Sequence, residues 1–160
     1  MTPEMIDLLA AAMHENYRHE AQVNHWPIQP EADHPYAQLS PALQETNRAA
    51  ARRIPEVLGV IGVRIATPRE AQMRGLSASE LFDLIQQNMK ALAPTEHEGW
   101  MKDRAANGWQ YGEKRDNEKK LHPSMVPFEK LSSEDKEKDR NQVRSYPALI
   151  EKAGLVAVRE

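Results

Sequence analysis

LSPALQETNRAAARRIPEVLGVIG, residues 39–62, is answered 92 positions later by LSSEDKEKDRNQVRSYPALIEKAG, residues 131–154. Leu39-Ser40, Arg48, Arg52, Pro55 and Gly62 recur as Leu131-Ser132, Arg140, Arg144, Pro147 and Gly154, and no gap is needed between the two stretches. Self-similarity at a fixed spacing marks one supersecondary unit used twice. Two such halves usually pack about a pseudo-twofold axis, with ligand sites in the cleft between them.

Each stretch reads as a helix followed by a strand. Ser40-Pro41 is a helix start, with a hydroxyl cap and a proline at the first helical position. Pro55 and Pro147 remove a donor at equivalent places, so each helix should kink or restart there. Gly62 and Gly154 sit where a helix C-terminus turns. Val63-Arg64-Ile65 and Leu155-Val156-Ala157-Val158 then read as short strands that pair, or that each close one half as an edge.

Upstream of the repeat, Thr2-Pro3 opens a helix whose Met5, Leu8, Leu9, Ala12 and Met13 follow helical spacing to about Glu20. Leu9-Ala10 and His14-Glu15-Asn16-Tyr17 match Leu92-Ala93 and His97-Glu98-Gly99-Trp100 at a spacing of 83, not 92. The loop between the helices is therefore nine residues longer in the second copy, where it runs from Gly108 to Pro123. Residues 23–38 read as an irregular, anchored loop. Thr95-Glu96-His97-Glu98 has the form of a capping box that starts the second copy's first helix. Ser77-Ala78-Ser79-Glu80 is another, opening a helix that carries Leu81, Phe82 and Ile85 and has no counterpart in the repeat. The expected organisation is one domain of residues 1–160. It comprises a half at 1–66, a connecting helical segment at 67–93 and a half at 94–160, sharing one core because halves of that size are marginal alone.

Composition narrows the function classes. The chain is 28% charged and 40% hydrophobic, as soluble globular proteins are, and its net charge of −3 lacks the basic excess of a nucleic-acid or membrane-surface binder. Without cysteine there is no thiolate zinc site and no cysteine nucleophile. No signal peptide or membrane-length apolar run is read, which makes a cytoplasmic location the expectation. His14-Glu15 with His19 does not make a zinc helix, because the histidines stand five apart rather than four. No cofactor is expected, and no motif for catalysis is present.

His97-Glu98, Trp100, Gly108-Trp109, Tyr111-Gly112, Arg115-Asp116, Lys119, His122-Pro123, Val126-Pro127-Phe128, Leu131 and Asp139-Arg140 together resemble the RyR repeat. That domain is named after the ryanodine receptor and is also found in bacterial and phage proteins. The resemblance spans about 94–155. A weak, degenerate copy over about 5–66 keeps His14-Glu15, Tyr17, Trp26, Pro35-Tyr36, Leu39, Arg48 and Arg52 but lacks the Gly-Trp-x-Tyr-Gly segment. The resemblance implies a mainly α, pseudo-twofold module with short β-strands and no catalytic activity. It also makes an adenine-nucleotide-like ligand a reasonable expectation.

The candidate ligand-binding residues follow from side-chain chemistry. His97, Trp100 and Arg104 lie on one helix face. Trp100 either packs at the core edge or lines a pocket while doing so, and His97 either caps a backbone group beside it or meets the ligand. Trp109 and Tyr111 alternate around Gln110, which points both rings to one side of a strand. Near Arg115, Lys119, Lys120 and His122 they suit either a stacked base with its phosphate or a loop pinned by its aromatics. Arg48 and Arg52, like Arg140 and Arg144, stand one turn apart. These pairs either face a shared cleft or bond the other half's carboxylates, such as Asp116 or Glu98. Tyr17 is the first half's counterpart of Trp100. The alternating charges of 133–139 read as an exposed, solubilising helix start.

The expected function is non-catalytic binding of a small anionic ligand. The alternatives are a protein–protein adaptor working through helix 77–93 or loop 23–38, and a hydrolase or transferase using His97 or His122 with Glu98.

Overall fold

The computed structural model describes residues 1–160 and is mainly helical, with two small sheets. In chain order its helices are α1 (Pro3–Val23), α2 (Pro41–Gly59), α3 (Pro68–Ala71), α4 (Ala78–Gln87), α5 (Met89–Ala106), α6 (Ser133–Arg144) and α7 (Tyr146–Lys152). The strands are β1 (Val63–Ala66), β2 (Gly75–Leu76), β3 (Gln110–Tyr111), β4 (Leu121–His122) and β5 (Val156–Arg159). No helix is long and apolar enough to cross a membrane. The chain forms two compact units, 1–83 with 146–160, and 84–145.

In the first unit, α1 packs on α2 and α7. Thr2 caps α1 by accepting from the Met5 N–H at 3.2 Å, and the apolar stripe buries Met5, Leu9, Ala10 and Ala12 while Leu8 stays exposed. From α2 come Ala51, Ile54, Val57 and Leu58, and from α7 Tyr146, Leu149 and Ile150. Burying a leucine- or isoleucine-sized side chain is worth about 1.5–3 kcal/mol, so this cluster dominates the unit's stability. The two strands read after Gly62 and Gly154 do pair. β5 is the centre of the sheet β1-β5-β2, antiparallel to both neighbours, with Ile65 opposite Ala157. That pairing is why residues 146–160 join the first unit rather than the segment they follow in sequence.

In the second unit, α5 packs on α6. Leu92, Ala93, His97, Leu131 and Val143 are its buried residues nearest the site described below. The loop from Asn107 to Pro127 is organised by β3 and β4, which pair in parallel through Gln110↔Leu121 and Tyr111↔His122. Gly112 permits this approach, since a Cβ there would stand 2.6 Å from the Leu121 Cβ.

Three sequence expectations change. Helix α1 runs to Val23 rather than Glu20. The Thr95 capping box is no helix start, because α5 begins at Met89 and passes through Pro94. Burial of Leu92 and Ala93 outweighs the local signal there, and the Thr95 hydroxyl donates back to the Ala91 carbonyl at 2.9 Å. The two prolines also part ways. Helix α2 continues through Pro55, whereas the second helix breaks at Ser145 and restarts as α7 ahead of Pro147.

Candidate functional site

The second unit carries an open cleft of about 440 Å³ between α5, α6 and the β4 loop. Its lining includes Trp100 and Arg104 from α5, Arg115 and His122 from the long loop, and Asp135, Lys138 and Asp139 from α6.

His97 anchors the floor. It is 2% exposed, and its Nε2–H donates to the Val126 carbonyl at 2.7 Å; since a carbonyl only accepts, Nε2 carries the proton. Nδ1 lies 3.1 Å from Asp139 Oδ2, an oxygen shut off from solvent, in an ion-pair contact rather than an aligned hydrogen bond. Burial opposes a charged imidazole here, but Asp139 and the Val126 carbonyl outweigh it and hold the His97 pKa above its ordinary value. Both ring nitrogens are thus engaged by the protein.

Above His97, three groups converge on one indole. The His97 ring stacks on Trp100 at 5.6 Å, the His122 ring meets it edge-on at 5.0 Å, and the Arg104 guanidinium lies 5.5 Å from the ring centroid. Arg104 reaches Trp109 as well, at 5.0 Å, so it is held between two indoles. His122 Nδ1 accepts the Ser124 N–H at 3.0 Å, which places the proton of the neutral ring on Nε2. Burial, followed by the charges of Arg115 and Arg104, pushes the His122 pKa down. Two imidazoles against one indole are therefore driven in opposite directions, one towards charge and one away from it.

Of the residues singled out in sequence, His97, Trp100, Arg115 and His122 line the cleft, and Trp109 supports it through Arg104 and a 6.2 Å contact with His122. Tyr111 does not join them; it is 54% exposed and outside the lining. Lys119 is also outside, in an exposed turn where its N–H and that of Glu118 bond Asp116 Oδ1.

The matched arginines each pair with a glutamate on their own helix, and Arg48 also reaches Asp7 on α1 at 3.5 Å. Arg48 and Arg52 bond Glu45 at 2.9 and 2.7 Å, and Arg140 and Arg144 both bond Glu137. Spacings of three and seven put each trio on one face. The arginines hold both glutamate carboxyls below the usual range, Arg52 most strongly for Glu45 and Arg144 for Glu137. Tyr17 is 45% exposed in the first unit, 6.3 Å from the His14 ring.

Three cleft residues were hidden in the charge run. Asp135, Lys138 and Asp139 lie inside the stretch read as solubilising. The available signal was their position, because Asp135 and Asp139 fall two turns and one turn before the buried Val143, on the inward face of α6.

A family model described as the RyR domain matches residues 75–156, just over half of the chain. The match takes in all of α4, α5, α6 and α7 and the whole of the cleft. It starts well before position 94, and α4 lies within the matched region. The chain belongs to the RyR domain family.

Proposed function

We propose that this chain is a non-catalytic binding module whose second unit takes a small anionic, nucleotide-like ligand. One observation carries the reading: Arg104, Arg115, Lys138, His122 and Trp100 line a single cleft within the size range typical of small-molecule sites, about 300–1,000 Å³. Lys138 is largely solvent-exposed and Arg115 lies on the exposed loop, so both are placed to meet a phosphate at the mouth. Asp135 and Asp139 repel an anion placed deeper and accept from N–H donors. That polarity suits a nucleotide, anionic at one end and amine-bearing at the other, better than free phosphate. Trp100 already contacts His97, His122 and Arg104, so its role is to build the wall rather than to offer both faces to a base.

Catalysis by the histidines has less support. Both nitrogens of His97 are occupied, and Glu98 is exposed on α5 outside the lining. Calorimetric titration with ATP, ADP, ADP-ribose and cyclic nucleotides tests the binding reading. Saturable heat with at least one ligand, weakened tenfold or more by Arg115→Ala, is expected. No heat at millimolar ligand with folded protein overturns it.

The same reading includes the duplication. Its support is a series of matched bonds. His14 Nε2 meets the His34 carbonyl at 2.7 Å as His97 meets Val126, and Ser40 and Ser132 cap α2 and α6 identically. Gly62 and Gly154 turn at φ of 72° and 73°.

A second reading, an interaction surface for a protein partner, is favoured by Trp26 in loop 23–38, which is 56% exposed. Helix α4 contributes less to it, since Leu81 and Ile85 are buried and Phe82 alone of the three is 39% exposed.

A further inference from the structure

The first unit contains a wide groove of about 700 Å³ lined by Glu15, Arg18, Ala21, Trp26, Asp33 and Lys152, among others. The end of α1, which borders this groove, is built like the end of α5. Helix α1 stops at Asn24, whose Nδ2 donates to the Glu20 carbonyl at 2.9 Å; α5 stops at Asn107, whose Nδ2 donates to the Asp103 carbonyl at 2.8 Å. His25 follows at φ 55°, and Gly108 at φ 87°. The Trp26 N–H then bonds the Ala21 carbonyl at 2.8 Å, as the Trp109 N–H bonds the Arg104 carbonyl at 3.0 Å. Trp26 thus occupies the backbone position of Trp109, and Ala21 that of Arg104.

The side chains make the difference. In the second unit a guanidinium covers Trp109 at 5.0 Å, leaving that indole half-buried. In the first unit alanine stands where the arginine would be, and Trp26 is exposed over the groove that Ala21 also lines. Two carboxylates stand on the same groove. Glu15 and Asp33 each meet Arg18 only at 3.4 Å, near the limit of a hydrogen bond, and both remain exposed to solvent.

We propose that this groove binds a single arginine side chain of a partner peptide. Its guanidinium lies on Trp26 as Arg104 lies on Trp109, and its N–H groups are accepted by Glu15 and Asp33. A planar, weakly hydrated guanidinium suits both contacts at once. Arg18, His19 and Lys152 on the rim repel dense positive charge, so the site takes one arginine rather than a basic run. The inference rests on the reading of loop 23–38 as an interaction surface and names the chemistry of the partner.

The test is NMR of the indole N–H resonances in the full chain, titrated with the tripeptides Gly-Arg-Gly, Gly-Leu-Gly and Gly-Glu-Gly. A saturable shift of the Trp26 signal with Gly-Arg-Gly is expected, with Trp100 and Trp109 unmoved. It should be at least tenfold weaker in Asp33→Asn and absent for the other two peptides. Trp26→Leu, checked for folding by its thermal transition, should remove saturable shifts of the Ala21 amide. Shifts at Trp26 from Gly-Leu-Gly or Gly-Glu-Gly but not Gly-Arg-Gly overturn the arginine assignment and leave the surface standing. No shift from any peptide overturns both.

Discussion

The segments α1–α2 and α5–α6 share their backbone devices and differ in almost every side chain that carries chemistry. Both set a buried histidine against a loop carbonyl at 2.7 Å, and both follow it with a single helical turn that opens at Pro35 or Pro127. The backbone angles at those prolines agree within a few degrees, as do those at Leu39 and Leu131. Yet Trp100 replaces Tyr17, Arg104 replaces Ala21 and Asp139 replaces Asn47, while Arg115 and His122 come from the longer loop. The cleft at His97 is thus assembled almost wholly from what the first segment lacks. Similar backbone devices thus tolerate different chemistry as long as substitutions spare the histidine, the caps and the buried face.

The largest expected difference between the segments lies in their histidines. His97→Ala leaves the Asp139 carboxylate without its counter-charge and the Val126 carbonyl without its donor. The loss should be about 3 kcal/mol, since removing one partner of a buried pair costs about 3–5 and Asp139 is partly exposed. His14→Ala orphans only the His34 carbonyl and should cost about 1–2 kcal/mol. Urea unfolding of both variants decides the matter; equal losses would mean that Asp139 adds nothing to the second segment.

The pH dependence of stability follows next in size. The folded pKa of His97 lies above 6.5, so its contribution is complete below pH 6.5 and is lost as pH rises through the folded value. His122 runs the other way. Its folded pKa lies below 6.5, so what it contributes is present above pH 6.5 and is lost as pH falls through that lower value. Urea midpoints from pH 5 to 9 should therefore pass through a maximum. Asp139→Asn should flatten the alkaline limb and leave the acid limb in place. An unchanged alkaline limb would show that the His97–Asp139 contact carries no net charge effect.

These contrasts were unevenly legible in the amino-acid sequence. The caps at Thr2, Ser40 and Ser77 were readable because each is local chemistry over four residues, whereas β1 and β5 were legible as strands but their pairing was one of two open arrangements. The start of α5 is disguised because Thr95-Glu96-His97-Glu98 has the right composition for a cap. Leu92-Ala93 nonetheless matched Leu9-Ala10 from the middle of α1, a sign that the helix had begun earlier. Trp26 stands out in the sequence, but its equivalence to Trp109 does not, since His25 adopts a conformation expected of glycine and so disguises the match to Gly108. Asp135 and Asp139 were masked by an alternating charge run whose inward face shows only when the register of buried Val143 is applied.

Arg104→Ala would make the end of the second segment resemble the first. Losing contacts with two indoles should cost about 1 kcal/mol in stability. It should also uncover Trp109, seen as a red shift in indole emission, and weaken any anionic ligand by removing one of the cleft's cations. Emission that stays unchanged would mean that Arg104 does not shield Trp109 in solution.

The smallest effects belong to the feature on which the two segments agree best. Glu45 and Glu137 each tie two arginines on an exposed helix face, and such contacts gain little because water and salt screen them. Glu45→Gln and Glu137→Gln should shift the unfolding midpoint by similar, barely measurable amounts, and less in high salt than in low. A large loss for Glu137→Gln alone would make its arginines part of the cleft's support, through the Arg140 contact with Phe128 and the 6.2 Å approach of that ring to His97. Equal small losses would instead assign the matched glutamate–arginine trios to the common scaffold and leave the cleft to the residues that only the second segment carries.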